Sequence, residues 1–327
     1  MIKPKRRIIM QRTIIVSLLI SMTLAGFTMI NDSPQIEFTE DEAKGTLTLR
    51  DSQVEVLTYR FRNQLKRGVD PKYTRSCYIH PLYSLDGIVL TDDFPKDHLH
   101  HHGVFWTWPV VRTRGQHTQT WHPDTPSLRQ HFARWLKQEV KNGAATLSVE
   151  NIWKLDDNEV VAIETVTMHV LPADDAGRAI DLELVFQAVG GPLELQGSPD
   201  QNKGYGGLCI RGAPMFKGAA LTTDQGLLKN DSTNIPFRWA DMSTEKFGIA
   251  IFVSPGHPGL PTTWLIRNSY AGVLNISWPG LKPAVLQPGK PAILRYRLYI
   301  HRGDASAGRV QLAYEKYLSL SQKKKPR

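Results

Sequence analysis

The chain has 327 residues, 22% of them charged, a formal net charge of +9 and only two cysteines. The excess charge lies at the ends, in Lys3, Lys5, Arg6, Arg7 and Arg12 and in Lys323, Lys324, Lys325 and Arg327, so that 31–322 is neutral overall. A neutral body excludes the concentrated positive surface needed to bind nucleic acid, and two thiols exclude a disulfide scaffold or a cysteine-type zinc site.

In chain order, 1–30 reads as an export signal. Its basic start is followed by the uncharged stretch 13–30, with Ile14-Ile15-Val16 and Leu18-Leu19-Ile20, and Thr23 and Ala25 suit cleavage after Ala25. An uncharged run of about 18 residues can also just span a bilayer, so an uncleaved anchor is the alternative. The expected location is periplasmic or secreted, with no membrane contact beyond this segment. The remainder, 31–327, is expected to form a single domain. Whether Cys77 and Cys209 meet is open at this point.

Strand patterns dominate that remainder. Polar and apolar residues alternate in Thr46-Leu47-Thr48-Leu49-Arg50 and Val54-Glu55-Val56-Leu57-Thr58, and again over 145–153 and 160–170, with Asp156-Asp157-Asn158 as the turn between. The stretch 179–189 alternates apolar and acidic residues, 247–253 is a short apolar run, and 292–301 is a further strand whose Arg295 and Arg297 suit partners on sheet carboxylates. Helical periodicity is confined to 307–320. The expected fold is all-β: a large antiparallel β-sandwich with one C-terminal helix and function on its loops.

The densest chemistry is Asp97-His98-Leu99-His100-His101-His102-Gly103, followed by Val104-Phe105-Trp106-Thr107-Trp108. Imidazoles exchange protons and bind metals near neutral pH. If the run is extended, His98, His100 and His102 share one face and His101 takes the other. Two readings follow: a metal-free acid/base site, or a metal site completed by His80, His117, His122 or a carboxylate. A second segment, Asn202-Lys203-Gly204-Tyr205-Gly206-Gly207-Leu208-Cys209-Ile210-Arg211, lacks the end of a phosphate loop, but Lys203, Tyr205 and Arg211 could donate to a sugar or carboxylate. Glu164, flanked by apolar residues, and Asp241, within Phe237-Arg238-Trp239-Ala240-Asp241, are the candidate carboxylates. Trp106, Trp108, Trp121, Trp239, Trp264 and Trp278 could cover sugar-ring faces, although large aromatics more often fill cores.

Taken together, His80-Pro81-Leu82-Tyr83 with Asp86-Gly87, Asp92-Asp93-Phe94-Pro95 leading into His98-Leu99-His100-His101, the Lys203–Leu208 segment with Arg211, Trp239-Ala240-Asp241, Trp264 with Arg267, and Leu294-Arg295-Tyr296-Arg297 resemble the bacterial PmoA-like family of unknown function. The resemblance spans about 78–301. His102 stands where that family usually has an arginine. What it implies is a β-supersandwich similar to galactose-mutarotase-like proteins, and a small-molecule carbohydrate or glycan as partner, with no cofactor. On that expectation His100 or His101 donates a proton and Glu164 or Asp241 accepts one, in epimerase, mutarotase or lyase chemistry. His80, His98, Lys203, Tyr205, Arg211 and Arg267 hold substrate groups, and Trp239 and Trp264 supply ring faces. The alternatives are a non-catalytic carbohydrate-binding protein and a metal-dependent hydrolase or oxygenase using His98–His102.

Overall fold

The computed structural model describes residues 36–269 and 271–323, all within one compact unit spanning 34–327. The segment 1–30, expected to be an export signal, and all but the first residue of the basic tail lie outside the described residues. Two nine-stranded antiparallel sheets enclose one continuous apolar core. The first runs in the order Ile36–Asp41, Thr46–Asp51, Val54–Arg60, Tyr78–Leu82, Val104–Thr107, Gly207–Arg211, Val273–Ser277, Thr263–Arg267, Ser232–Pro236. The second runs Gly226–Leu227, Ala220–Thr223, Trp239–Ser243, Phe247–Val253, Ala292–Arg302, Gly177–Ala188, Glu159–Val170, Ala144–Leu155, Leu128–Lys141. A four-stranded sheet (Ala284–Leu286, Leu193–Gln196, Val110–Thr113, Gln116–Thr118) completes the structure. Among the described residues no helix is long and apolar enough to cross a membrane.

Alternation in sequence becomes alternation in space in the second sheet. Val166, Met168, Leu182, Leu184, Leu294 and Leu298 enter the core, and their neighbours in sequence face outward. On that outer face Arg295 Nε donates to Glu183 at 2.6 Å, and Arg297 donates to both Asp181 oxygens at 2.6 and 2.9 Å, as the sequence predicts. The C-terminal helix, Val310–Lys323, covers the same face, with Val310, Tyr314 and Tyr317 on Trp239, Phe252 and Tyr299. It begins three residues later than the periodicity predicts. Asp304 accepts from the amides of Ser306 and Ala307, and Arg309 has a φ of +52°, so 304–309 is turn.

The middle of the first sheet is built differently. Every residue of Val104–Thr107, Gly207–Arg211 and Val273–Ser277 is buried. Val104, Trp106, Leu208, Ile210, Leu274 and Ile276 point into the main core. Phe105, Cys209 and Val273 point the other way, into a separate cluster with Tyr78, Trp121 and Leu265. The two thiols are free and buried, Cys77 in the main core and Cys209 in the outer cluster, so they do not bond. The outermost strand of the second sheet, Leu128–Lys141, is interrupted by irregularities at Phe132/Arg134 and Trp135/Lys137 and ends in exposed, mostly polar residues.

Asp241 belongs to the helix-covered outer face of the second sheet. Its Oδ1 lies 2.8 Å from His301 Nε2, Ser243 Oγ donates to Oδ2 at 2.6 Å, and both members of the Asp241–His301 pair are sealed from solvent. Gly248 makes room for this pair, since a Cβ there would sit 2.5 Å from the His301 ring and 2.6 Å from Ser243 Cβ. Gly248→Ala is therefore expected to lower stability by about 1–3 kcal/mol, the usual cost of overpacking. Urea unfolding midpoints measure this, and an unchanged midpoint would contradict the packing described.

Candidate functional site

The histidine run forms a closed loop over the outer face of the first sheet. Its ends pair: Asp93 bridges His102, the Phe94 amide donates to His101 O at 3.2 Å, and the Gly103 amide donates to Asp92 O at 2.8 Å. Between them two turns close, from the His98 amide to Pro95 O and from the His101 amide to His98 O. These turns replace the expected alternation of ring directions. His98 stacks on His101 at 4.8 Å, and His100 contacts His122 at 3.8 Å. Gly103 ends the loop with a φ of +49°, where a Cβ would lie 2.2 Å from Ile79 O.

Arg211 anchors the loop from below. Its Nη2 donates to both Asp97 oxygens at 2.8 and 2.9 Å, and its Nη1 donates to His101 Nδ1 at 3.3 Å. A guanidinium has no lone pair to offer, so His101 Nδ1 accepts and the proton of the neutral ring sits on Nε2. Asp97 also meets His98 Nδ1 at 3.0 Å. Arg211, Val273 and Arg267 stand opposite one another across three strands, which places the two arginines about 10 Å apart on one face.

His102 has a different partner. Its Nδ1 lies 2.8 Å from Asp93 Oδ1, and Tyr78 OH donates to Asp93 Oδ2 at 2.9 Å. The carboxylate fixes the Nδ1–H tautomer and leaves the Nε2 lone pair as the ring's reactive atom. Burial alone would raise the Asp93 carboxyl, but His102, His80 and Arg60 bring it below its ordinary value. Burial lowers His102, against the opposing pull of Asp93. Burial and neighbouring imidazoles lower His100 to about 2 and His101 well below the ordinary range, while burial takes His80 to about 4. His80, His100, His101 and His102 are thus neutral at physiological pH. Its rings meet by stacking and edge contacts, and no three His, Cys, Asp or Glu side chains among the described residues converge as metal ligands would.

A small cleft of about 40 Å³, open to solvent, lies beside the loop, lined by His100, His102, His122, Trp121, Arg75 and Gln119 among others. Trp121 packs 5.7 Å from His101 and 4.8 Å from Tyr205.

The structure therefore brings together His98, His100, His101, Arg211 and Tyr205 (through Trp121), with Arg267 along the same face. His80 is tied to Thr91 Oγ1 at 2.9 Å next to the loop. Lys203 pairs with Asp200 at 2.9 Å. Four expected participants are placed elsewhere. Asp241 lies under the helix of the second sheet, and Trp239 lies on the same face, donating to Gln311 at 3.2 Å. Trp264 points into the main core and donates to Phe237 O at 2.8 Å. Glu164 also points into the core, where Asn151, Trp153 and Gln130 donate to it at 2.8, 2.7 and 3.3 Å. Burial raises its carboxyl, against the pull of those donors. Sequence reasoning missed Asp93 and Asp97 as site residues and weighed His102 only as a member of the His98–His102 metal site. The available signal was a carboxylate nine positions before His102 across a Pro-containing loop, a spacing that lets the two ends of a closed loop meet.

A family model matches residues 46–315, most of the described chain. The chain belongs to DUF6807, a family of unknown function. No curated protein matches at a significant level. Among solved structures, a GalM/aldose epimerase homologue from C. elegans overlays with a TM-score of 0.34 and 8% identity, covering 83% of this chain and 100% of that one. A Klebsiella pneumoniae protein provisionally assigned as an aldose 1-epimerase gives a TM-score of 0.25 and 12% identity, covering 88% of this chain and 87% of its own. Overlays this loose assign neither an activity nor a ligand to this DUF6807 chain.

The neutral cluster has a consequence for stability. A histidine whose folded pKa lies below its ordinary 6.5 binds a proton more readily when unfolded. Stability present at neutral pH is then lost as pH falls from 6.5 toward the folded values, about 4 for His80 and about 2 for His100. Unfolding free energies from urea titration are expected to drop between pH 6.5 and 4, by up to about 1.4 kcal/mol per pH unit for each such ring, lowering the urea midpoints, and His100→Gln should flatten the curve. Midpoints independent of pH across that window would contradict the neutral assignment.

Proposed function

We propose that this protein binds and transforms a sugar or sugar derivative in the cleft beside the histidine loop, with His102 as general base. The observation that carries this reading is the Tyr78–Asp93–His102 relay, whose histidine forms part of the cleft wall. In the proposed step His102 Nε2 takes the proton of the anomeric hydroxyl, Asp93 stabilises the imidazolium, and the proton passes to the ring oxygen as the bond from that oxygen to the anomeric carbon breaks and the carbonyl forms. That sequence suits ring opening and reclosure at the anomeric centre, which needs one proton shuttle and no net redox change. His100 and His101, read from the sequence as proton donors, are held neutral and so are assigned hydrogen-bond donation instead, His101 through Nε2–H. In the cleft Trp121 offers a ring face and Gln119 a side-chain amide, groups that suit a polyhydroxylated ligand. The motif-level resemblance to the PmoA-like family points the same way. We further propose that 1–30 directs export, which sequencing of the mature N-terminus tests.

The chemistry is tested by screening sugars, keto-sugars and uronates for thermal stabilisation and then for turnover. With a substrate in hand, His102→Ala and Asp93→Asn should each lower kcat by about 10²–10⁴-fold, the usual worth of a positioned base, with a smaller change in KM. Full turnover in His102→Ala would remove the base assignment. Binding without turnover in the wild type would leave a carbohydrate-binding protein.

A further inference from the structure

The lining of the cleft carries cations as well as histidines. The cations are Lys72, Arg75 and Arg129, against a single lining carboxylate, Asp124. Two of the three cations have partners outside the cleft: Lys72 meets Asp70 at 3.4 Å and Arg129 approaches Asp157 at 3.9 Å. Asp124 accepts from Gln119 and from the Thr125 amide. Arg75 differs from these. Its Nη1 donates to Thr120 O at 3.0 Å, its Nε is buried without a hydrogen bond, and among the described residues no carboxylate pairs with it. Burial lowers Arg75 only to about 10, so it remains charged at neutral pH. The carboxylate that influences it, Glu164, lies in the core and is already engaged by three donors. A buried guanidinium without a direct counter-ion is costly unless an anion is supplied from outside.

We propose that the cleft takes an anionic ligand, an oxyanion such as a carboxylate, sulfate or phosphate carried on the sugar, with Arg75 as its principal contact. The proposal rests on the sugar reading above for the ring and on Arg75 for the charge. A fork-shaped guanidinium matches an oxyanion through paired N–H donors, and the neutral histidines in the same lining offer it no competing charge.

The test compares glucose with glucuronate, and inorganic sulfate and phosphate alone, by calorimetry and thermal shift on the full chain, for wild type, Arg75→Gln and Arg75→Lys. Glucuronate should bind wild type at least about tenfold more tightly than glucose. Arg75→Gln should abolish that ratio, and Arg75→Lys should keep part of it. In wild type the ratio should also shrink as salt rises, a readout that needs no variant. Equal affinities for the two sugars, or a ratio that survives Arg75→Gln, would overturn the proposal. Stabilisation by sulfate or phosphate that depends on Arg75, with no sugar bound, would uphold the anion site and refute the sugar reading. No response to any of the four probes would refute both.

Discussion

A guanidinium buried against a sheet needs a carboxylate, and that requirement fixes the histidine loop in place. Arg211 projects from a fully buried strand, so its charge cannot reach bulk water. Asp97 answers it through two hydrogen bonds, and the loop between Asp92 and Gly103 must cross the sheet to bring Asp97 there. Once the loop is in place, His101 falls on Arg211 Nη1 and Asp93 reaches His102. The site is thus a by-product of satisfying one buried cation, with Gly103 permitting the close approach to Ile79.

Two histidines that are neighbours in sequence are poised in opposite ways by their partners. An arginine at Nδ1 makes His101 a donor at Nε2, whereas an aspartate at Nδ1 makes His102 an acceptor there. A residue run that reads as four equivalent imidazoles therefore holds groups of contrasting polarity. Desolvation keeps His101 and His102 uncharged so that this contrast persists at neutral pH.

The sequence shows one sheet far more clearly than the other. The second sheet has one face on the core and one on water or the helix, so 160–170 and 292–301 alternate and their strands are legible, as are the arginine–carboxylate pairs between them. The central strands of the first sheet are covered on both faces. Gly207–Arg211 and Val273–Ser277 carry no alternation to read, and the sheet that bears the site was the harder one to see. The site itself was legible as a loop and an arginine. It was not legible as a set of carboxylates, because Glu164 and Asp241 stand out by their apolar neighbours, which is the mark of a core position, while Asp93 and Asp97 sit in polar sequence and owe their roles to chain closure.

The polar outermost strand Leu128–Lys141 bears on how the molecule survives in company. An open sandwich offers bare amides and carbonyls along its margins, and a flat margin invites a second molecule to add a strand. Here the irregularities after Phe132 and Trp135 break the spacing such an intruder would need, and Lys137, Glu139 and Lys141 make its approach unfavourable. The margin nearest the longest strands is thereby a poor template for strand addition.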